Sequence, residues 1–100
     1  MWIYKIVEID TSEILYVGKT YTSLKKRFDS HLSKWKYGIS PFSMYIQSIG
    51  EDAIEISIID TASSENELLT KERKWIRQLN PPFNMKKPSD DTGIKWQRLP

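Results

Sequence analysis

The sequence predicts an α+β domain, a small three-stranded antiparallel sheet flanked by about three helices in the order β-β-α-α-β-α. Three observations predict it. Two runs rich in β-formers, WIYKIVE at 2–8 and EILYVG at 13–18, are joined by the turn residues DTSE. Two longer stretches, about 23–37 and 68–79, repeat apolar residues at three- and four-residue steps. A third alternating run, AIEISII at 53–59, lies between them.

The first two runs predict an antiparallel hairpin. Tyr4 and Tyr16 are twelve residues apart. An even register sum would put both rings on one face, and a hairpin centred near Asp10 would set them almost opposite each other. Gly18 is expected to end the second strand, where the backbone can turn sharply or approach a ligand. Thr22 or Ser23 then caps a helix whose buried stripe is Leu24, Phe28, Leu32 and Trp35. Arg27 and His31 stack one turn apart along the edge of that stripe, and Gly38 stops the helix.

Residues 41–49, PFSMYIQSI, predict a short helix with proline in its first turn, ended by Gly50. After the third strand, Ser64 and Glu67 form a capping box. The last helix runs to about Leu79, where Asn80-Pro81-Pro82 halts it. Phe83 is expected to fold back on the core. Residues 85–100 turn polar and rich in breakers, which predicts a surface tail that Trp96 could pin back.

The last helix contains one awkward residue. Leu68, Leu69, Trp75, Ile76 and Leu79 share a face, and Glu72 sits in the middle of it. A carboxylate there is expected to point at the core, and an unpaired buried charge costs several kcal/mol. Two readings follow: a salt bridge to Lys or Arg, or a metal ligand or catalytic acid.

Bulk properties narrow the function. One hundred residues, 39% hydrophobic and 12% aromatic, suit one domain with a small core. There are no cysteines, so disulfides and thiolate metal sites are excluded, and an intracellular location is expected, cytoplasmic or, in a eukaryote, nuclear. No apolar run approaches a membrane span, and the N-terminus MWIYKIVEID lacks a signal peptide's pattern. The net charge of +2 says little. Its distribution says more: Lys25, Lys26, Arg27, Lys34 and Lys36 form one basic cluster, and Lys71, Arg73, Lys74 and Arg77 another. Solvated helix faces explain such clusters most simply. Beside a core-facing acid they point to a phosphate-bearing partner.

Each remaining candidate has a plain structural account. A strand tyrosine is usually core, a helix arginine usually covers apolar surface with its stem, and a lone histidine is usually hydrogen-bonded structure. Their coincidence on elements expected to pack together is what asks for more. Here the sequence resembles the GIY-YIG nuclease family over about residues 2–84. Trp2-Ile3-Tyr4 matches the first family tripeptide and Tyr16-Val17-Gly18 the second, followed by Lys19-Thr20. The helix arginine matches Arg27, the histidine one turn later His31, the metal-binding glutamate Glu72, and the late asparagine Asn84. Trp2 departs from the family's first glycine.

The resemblance implies a GIY-YIG-like nuclease domain at 1–84, a tail at 85–100, and hydrolysis of phosphodiester bonds in DNA. It implies Tyr4, Tyr16, Arg27, His31 and Glu72 as catalytic residues. Glu72 would hold a single Mg²⁺ or Mn²⁺, for which one or two carboxylates suffice. No cluster of carboxylates for a two-metal site is visible. Arg27 would clamp the scissile phosphate. Tyr4 is favoured as base with His31 behind it, or His31 takes the proton directly, and Tyr16 orients water or phosphate. Lys19 and Lys26 would contact the substrate, and Asn84 would line the substrate site or brace it. The partner is expected to be double-stranded DNA, with specificity supplied by the nuclease face, a homodimer or a separate DNA-binding partner. The alternative is an inactive or accessory nucleic-acid-binding module with the same fold. An unrelated RNA-binding protein would explain the basic clusters but not Glu72.

Overall fold

The computed structural model describes residues 1–84, so the expected tail and its Trp96 anchor lie outside the described residues. Strand β1 (Trp2–Glu8) is the centre of a three-stranded antiparallel sheet ordered β2-β1-β3, with β2 spanning Glu13–Thr20 and β3 Ile54–Thr61. Helices α1 (Leu24–Tyr37), α2 (Pro41–Ile49) and α3 (Glu65–Leu79) complete the predicted order. A short 3₁₀ turn at Glu51–Ala53, unmarked in the sequence pattern, leads into β3. Among the described residues, no helix is long and apolar enough to cross a membrane.

Both faces of the sheet are covered. Tyr4, Ile6, Leu15, Trp35, Phe42, Ile46 and Ile54 form one core, on the side of α1 and α2. Ile3, Val17 and Leu68 form the other, closed by Trp75, Ile76 and Leu79 of α3. Adjacent residues Ile3 and Tyr4 are therefore both fully buried, one in each core. A strand covered on both faces loses the alternation expected of a half-exposed one, which is why the alternation of β1 is only partial in the sequence.

The hairpin register differs from expectation in a way that matters. Tyr4 pairs with Gly18 and Tyr16 with Ile6, so the partner sums are even and the two rings share a face. The centre is one residue later than Asp10, however, and the tyrosines are diagonal neighbours rather than opposite. The register then shifts between Ile6 and Val7. Ile14 and Val17 join the α3 core, while the adjacent Leu15 and Tyr16 both join the α1/α2 core. That is what a β-bulge does: one extra residue re-aims the side chains after it.

Gly18 does not end β2. It sits in mid-ladder, and the strand runs on to Thr20. Glycine is required for another reason: a Cβ there would land on the hydroxyl and ring of Tyr4 and 2.9 Å from the Tyr16 ring.

The helix signals hold with one change. Ser23, Ser40 and Ser64 each accept a backbone N–H from three residues on, at Lys26, Ser43 and Glu67. The reciprocal arm of the last box is displaced by one residue. Glu67 accepts from the backbone N–H and hydroxyl of Ser63, not from Ser64. At the far end Asn80 adopts the left-handed conformation (φ 49°) that terminates α3. The chain then returns along the outer edge of β2. Phe83 N–H donates to the Leu15 carbonyl at 3.1 Å, and its ring stacks on Phe42 at 4.9 Å.

Candidate active site

Strand β2 is an edge strand, and its alternation distributes side chains to both sides of that edge. Tyr16 faces α1 and Val17 faces α3, and Lys19, next on the α3 side, reaches Glu72. A cleft of about 830 Å³ wraps this edge. Its walls come from β2 (Tyr16, Lys19), α1 (Lys26, Arg27, His31) and α3 (Glu72, Arg73), with Asn84 beside them. Helices that cover opposite faces of the sheet thus meet in one site.

The α1 wall is a hydrogen-bonded cluster around one phenol. The Tyr4 hydroxyl lies 2.6 Å from His31 Nε2 and accepts from Arg27 Nε at 3.2 Å. The simplest assignment has Tyr4 donating to a neutral His31, because the arginine can only donate. Helical spacing makes this possible: Arg27 and His31 are four apart on α1 and straddle the same oxygen. The His31 ring is fixed by stacking on Trp35 at 4.7 Å and 7°, and lies edge-on to Tyr16 at 5.8 Å. The Tyr4 and Tyr16 rings are 6.3 Å apart.

Burial sets the protonation states. Desolvation pushes Tyr4 up to about 12, which outweighs the opposing hydrogen bond from Arg27. Desolvation also pulls His31 down to about 4, helped by the charges of Arg27 and Lys34. Tyr16 is raised, first by burial and then by the charge of Glu72. At neutral pH the cluster is therefore a neutral phenol against a neutral imidazole, with one guanidinium. Arg27 spends only Nε on Tyr4; its two terminal nitrogens have no hydrogen-bond partner among the described residues.

Glu72 is not where the sequence pattern put it. Its side chain is 19% exposed and turned to the cleft, and Oε1 meets Lys19 Nζ at 3.3 Å. The physical reason lies in the stripe. Leu68 is the residue of α3 that is fully buried, and Trp75, Ile76 and Leu79 follow it against the sheet. Glu72 falls at the margin of that stripe with Leu69 and Ile76, which also line the cleft. A half-buried carboxylate with a lysine partner carries a smaller desolvation cost than the buried acid expected, and Oε2 remains without a partner among the described residues.

Two further candidates are buried. Asn84 is buried and fully engaged: Oδ1 accepts from Val17 N–H at 2.7 Å and Nδ2 donates to Val17 O at 2.6 Å. Its amide acts as a rung on the open edge of β2, which is the bracing role expected of it, and the residue also lines the cleft. Tyr4 is fully buried, and the phenol on the cleft wall is Tyr16. Lys26 is exposed and lines the cleft. Arg73 also lines the cleft, though only its basic neighbours marked it in the sequence. Trp2, at the family's first glycine, pairs with Thr20 and Thr61 at the end of the sheet and does not line the cleft.

The GIY-YIG catalytic domain model matches residues 1–87. Two solved structures have a similar fold. The catalytic domain of the homing endonuclease I-TevI superposes with a TM-score of 0.67 at 22% identity, covering 79% of this chain and 87% of that one. A mutant of the same intron endonuclease domain gives a TM-score of 0.67 at 22% identity, covering 78% of this chain and 81% of that one. Comparison with curated protein sequences finds no match.

Proposed function

The chain belongs to the GIY-YIG nuclease family, and from that premise we propose that it is a divalent-metal-dependent endonuclease hydrolysing phosphodiester bonds in double-stranded DNA. The observation that carries the reading is the single Tyr4 oxygen held between Arg27 and His31 on one wall of the cleft, with Glu72 on the other.

Glu72 suits a hard cation such as Mg²⁺ or Mn²⁺. One carboxylate oxygen is free of protein partners among the described residues and faces a cleft open to water. Such an ion takes one or two protein carboxylates and completes its shell with water and phosphate oxygens. When bound, it supplies charge for the phosphate and the departing oxygen.

The chain's own residues do the rest. The terminal nitrogens of Arg27 grip the scissile phosphate, whose charge grows as the attack proceeds. A phenol near 12 does not ionise alone at neutral pH. It need not. As the attacking water gives a proton to Tyr4 Oη, the proton already on Tyr4 passes 2.6 Å to His31 Nε2. The water oxygen bonds to phosphorus, the bond to the leaving oxygen breaks, that oxygen takes a proton from water in the open cleft, and no free phenolate forms. Tyr16, on the cleft wall, orients the water or the phosphate. Lys19 and Lys26 neutralise neighbouring phosphates. The complete burial of Tyr4 favours a second route, in which His31, itself on the cleft, takes the water's proton directly at Nδ1, in the tautomer whose Nε2–H donates to Tyr4 Oη.

The test is nicking of supercoiled plasmid across a series of divalent ions. Cleavage is expected only with a hard ion, and Glu72→Gln is expected to lower it by about a hundredfold or more. Because Glu72 is half-buried and paired with Lys19, the same variant is expected to change stability by less than about 1 kcal/mol. Retention on DNA with no nicking under any ion would instead assign a binding module with the same fold. An unfolded Glu72→Gln protein would assign the carboxylate a purely structural role.

A further inference from the structure

The connection between α1 and α2 presents side chains that neither the cores nor the proposed chemistry employ. Tyr37, the last residue of α1, is 82% exposed, and Ile39, two residues on, is 88% exposed. Their backbone is nonetheless tightly held. Gly38 N–H donates to Trp35 O at 3.3 Å, and Gln47 Nε2 donates to Trp35 O at 2.6 Å and to Gly38 O at 2.9 Å. Ser40 caps α2 immediately afterwards. A Cβ at Gly38 would collide with Ser43 and come within 2.9 Å of Lys34 O, so glycine is what lets the two helix ends approach this closely. The result is a pinned backbone with two large side chains projecting from it.

Its place and charge say what it meets. Trp35 and Ser40, on either side of the connection, line the catalytic cleft. Lys34 and Lys36 occupy the last turn of α1, and Lys36 Nζ lies 6.0 Å from the Tyr37 ring. Met44, 58% exposed, is the next exposed large apolar side chain in sequence. Three side chains at about 200 Å² each stop short of the roughly 800 Å² per partner of a stable protein interface. A small apolar projection flanked by lysines beside a phosphate site instead matches the wedges that proteins insert between base steps.

We infer that Tyr37 and Ile39 form a wedge that enters the minor groove of duplex DNA next to the scissile phosphate, with Lys34 and Lys36 on the flanking phosphates. This rests on the endonuclease reading for its substrate. Partial unstacking of one base step would bend the duplex around the rim of the cleft and seat a phosphate on Arg27. Preorganisation of the loop keeps the ordering cost of insertion low. The wedge reads deformability of the step more than base identity, so flexible pyrimidine–purine steps are the preferred sites.

The experiment is binding of the full chain to a short duplex carrying 2-aminopurine at a TA step, without divalent ions. The parent is expected to raise the 2-aminopurine fluorescence as it binds. The Tyr37→Ala/Ile39→Ser double variant is expected to bind about tenfold more weakly and give no rise. The Lys34→Gln/Lys36→Gln double variant is expected to keep the rise and lower the log–log salt slope by about two. All four side chains are exposed, so thermal midpoints should stay at the parent value. Equal binding by parent and wedge variant, or no fluorescence change in the parent, overturns the proposal. So does a parent dimer in sedimentation that the wedge variant splits, which would make the patch a contact between copies. Plasmid nicking is measured in parallel. Its absence would remove the nuclease reading while the binding result still decides the wedge.

Discussion

The two cores of this protein bury neighbouring residues of the same strand and do it with opposite chemistry. On the α3 side, Ile3, Val17 and Leu68 make a dry aliphatic contact with no titratable group among its buried members. On the α1/α2 side, Tyr4 is equally buried, but its hydroxyl is tied to His31 and Arg27, and the rings of Tyr16, Trp35 and Phe42 pack around them. The buried aliphatic members of the first core contribute stability that does not depend on pH. The second holds groups whose charged forms burial disfavours, which is the condition an acid–base site needs. The lesson is a division of labour within one small sheet: α3 anchors the strands, and the aromatic face holds the proton chemistry. Glu72 and Lys19 cross between them around the β2 edge.

The strongest way to break this division is to open the dry core. Leu68→Ala is expected to cost about 2–5 kcal/mol, since the side chain is fully buried against Ile3 of β1 and Val17 of β2. Urea unfolding at neutral pH measures it. The loss should be the same at every pH where the parent is folded; a pH-dependent loss would mean that the cores are not separable.

Mild acid should act on the other core through His31, before the lowered carboxyls of Asp60 and Glu67 on the α3 side begin to take up protons. His31 binds protons less readily folded (about 4) than at its ordinary value of 6.5. Between those values the unfolded chain binds more protons, so stability falls as pH drops from about 6.5 to about 4 and loses nothing more from this group below that. The loss is at most about 3 kcal/mol. Tyr4 acts at the opposite end: its value is raised from 10.0 to about 12, so its contribution is lost as pH rises through that interval. Urea midpoints at pH 7, 5.5 and 4.5 test the acid limb. His31→Phe should flatten it, and an unchanged slope would place the acid sensitivity elsewhere.

The smallest expected stability change separates the two proton routes. Tyr4→Phe removes a buried hydroxyl at a cost of about 1 kcal/mol, with more if Arg27 cannot find water. If the hydroxyl carries the proton, cleavage should fall by about a hundredfold or more. If His31 takes it directly at Nδ1, the variant leaves that nitrogen in place and activity should persist. Single-turnover plasmid nicking, set against the unfolding midpoint, reads both.

Much of the fold was legible because its signals are local. The serine caps, Pro41, Gly50, Asn80 and the prolines after it act on their own neighbours, and the helix bounds follow them closely. The five central candidates were also legible, since Arg27 and His31 share a helix edge by spacing alone. What stayed hidden was non-local. No pattern in EILYVG announces the bulge that turns Leu15 and Tyr16 to the same side. Gly18 read as a strand end because its reason for being glycine, the Tyr4 ring across it, lies on another strand.

From its residues alone this chain determined its element order and its helix ends. Those are set by short-range sterics, capping and periodicity. The tertiary structure decided the rest: that Glu72 meets Lys19 in a cleft and not the core, that Asn84 is a rung on β2, and that Tyr4 is covered while Tyr16 is not. Each depends on which surfaces press together across the sheet. A one-residue change of register redirects every side chain beyond it, so contacts of that kind are settled only when the whole sheet and its three helices have packed.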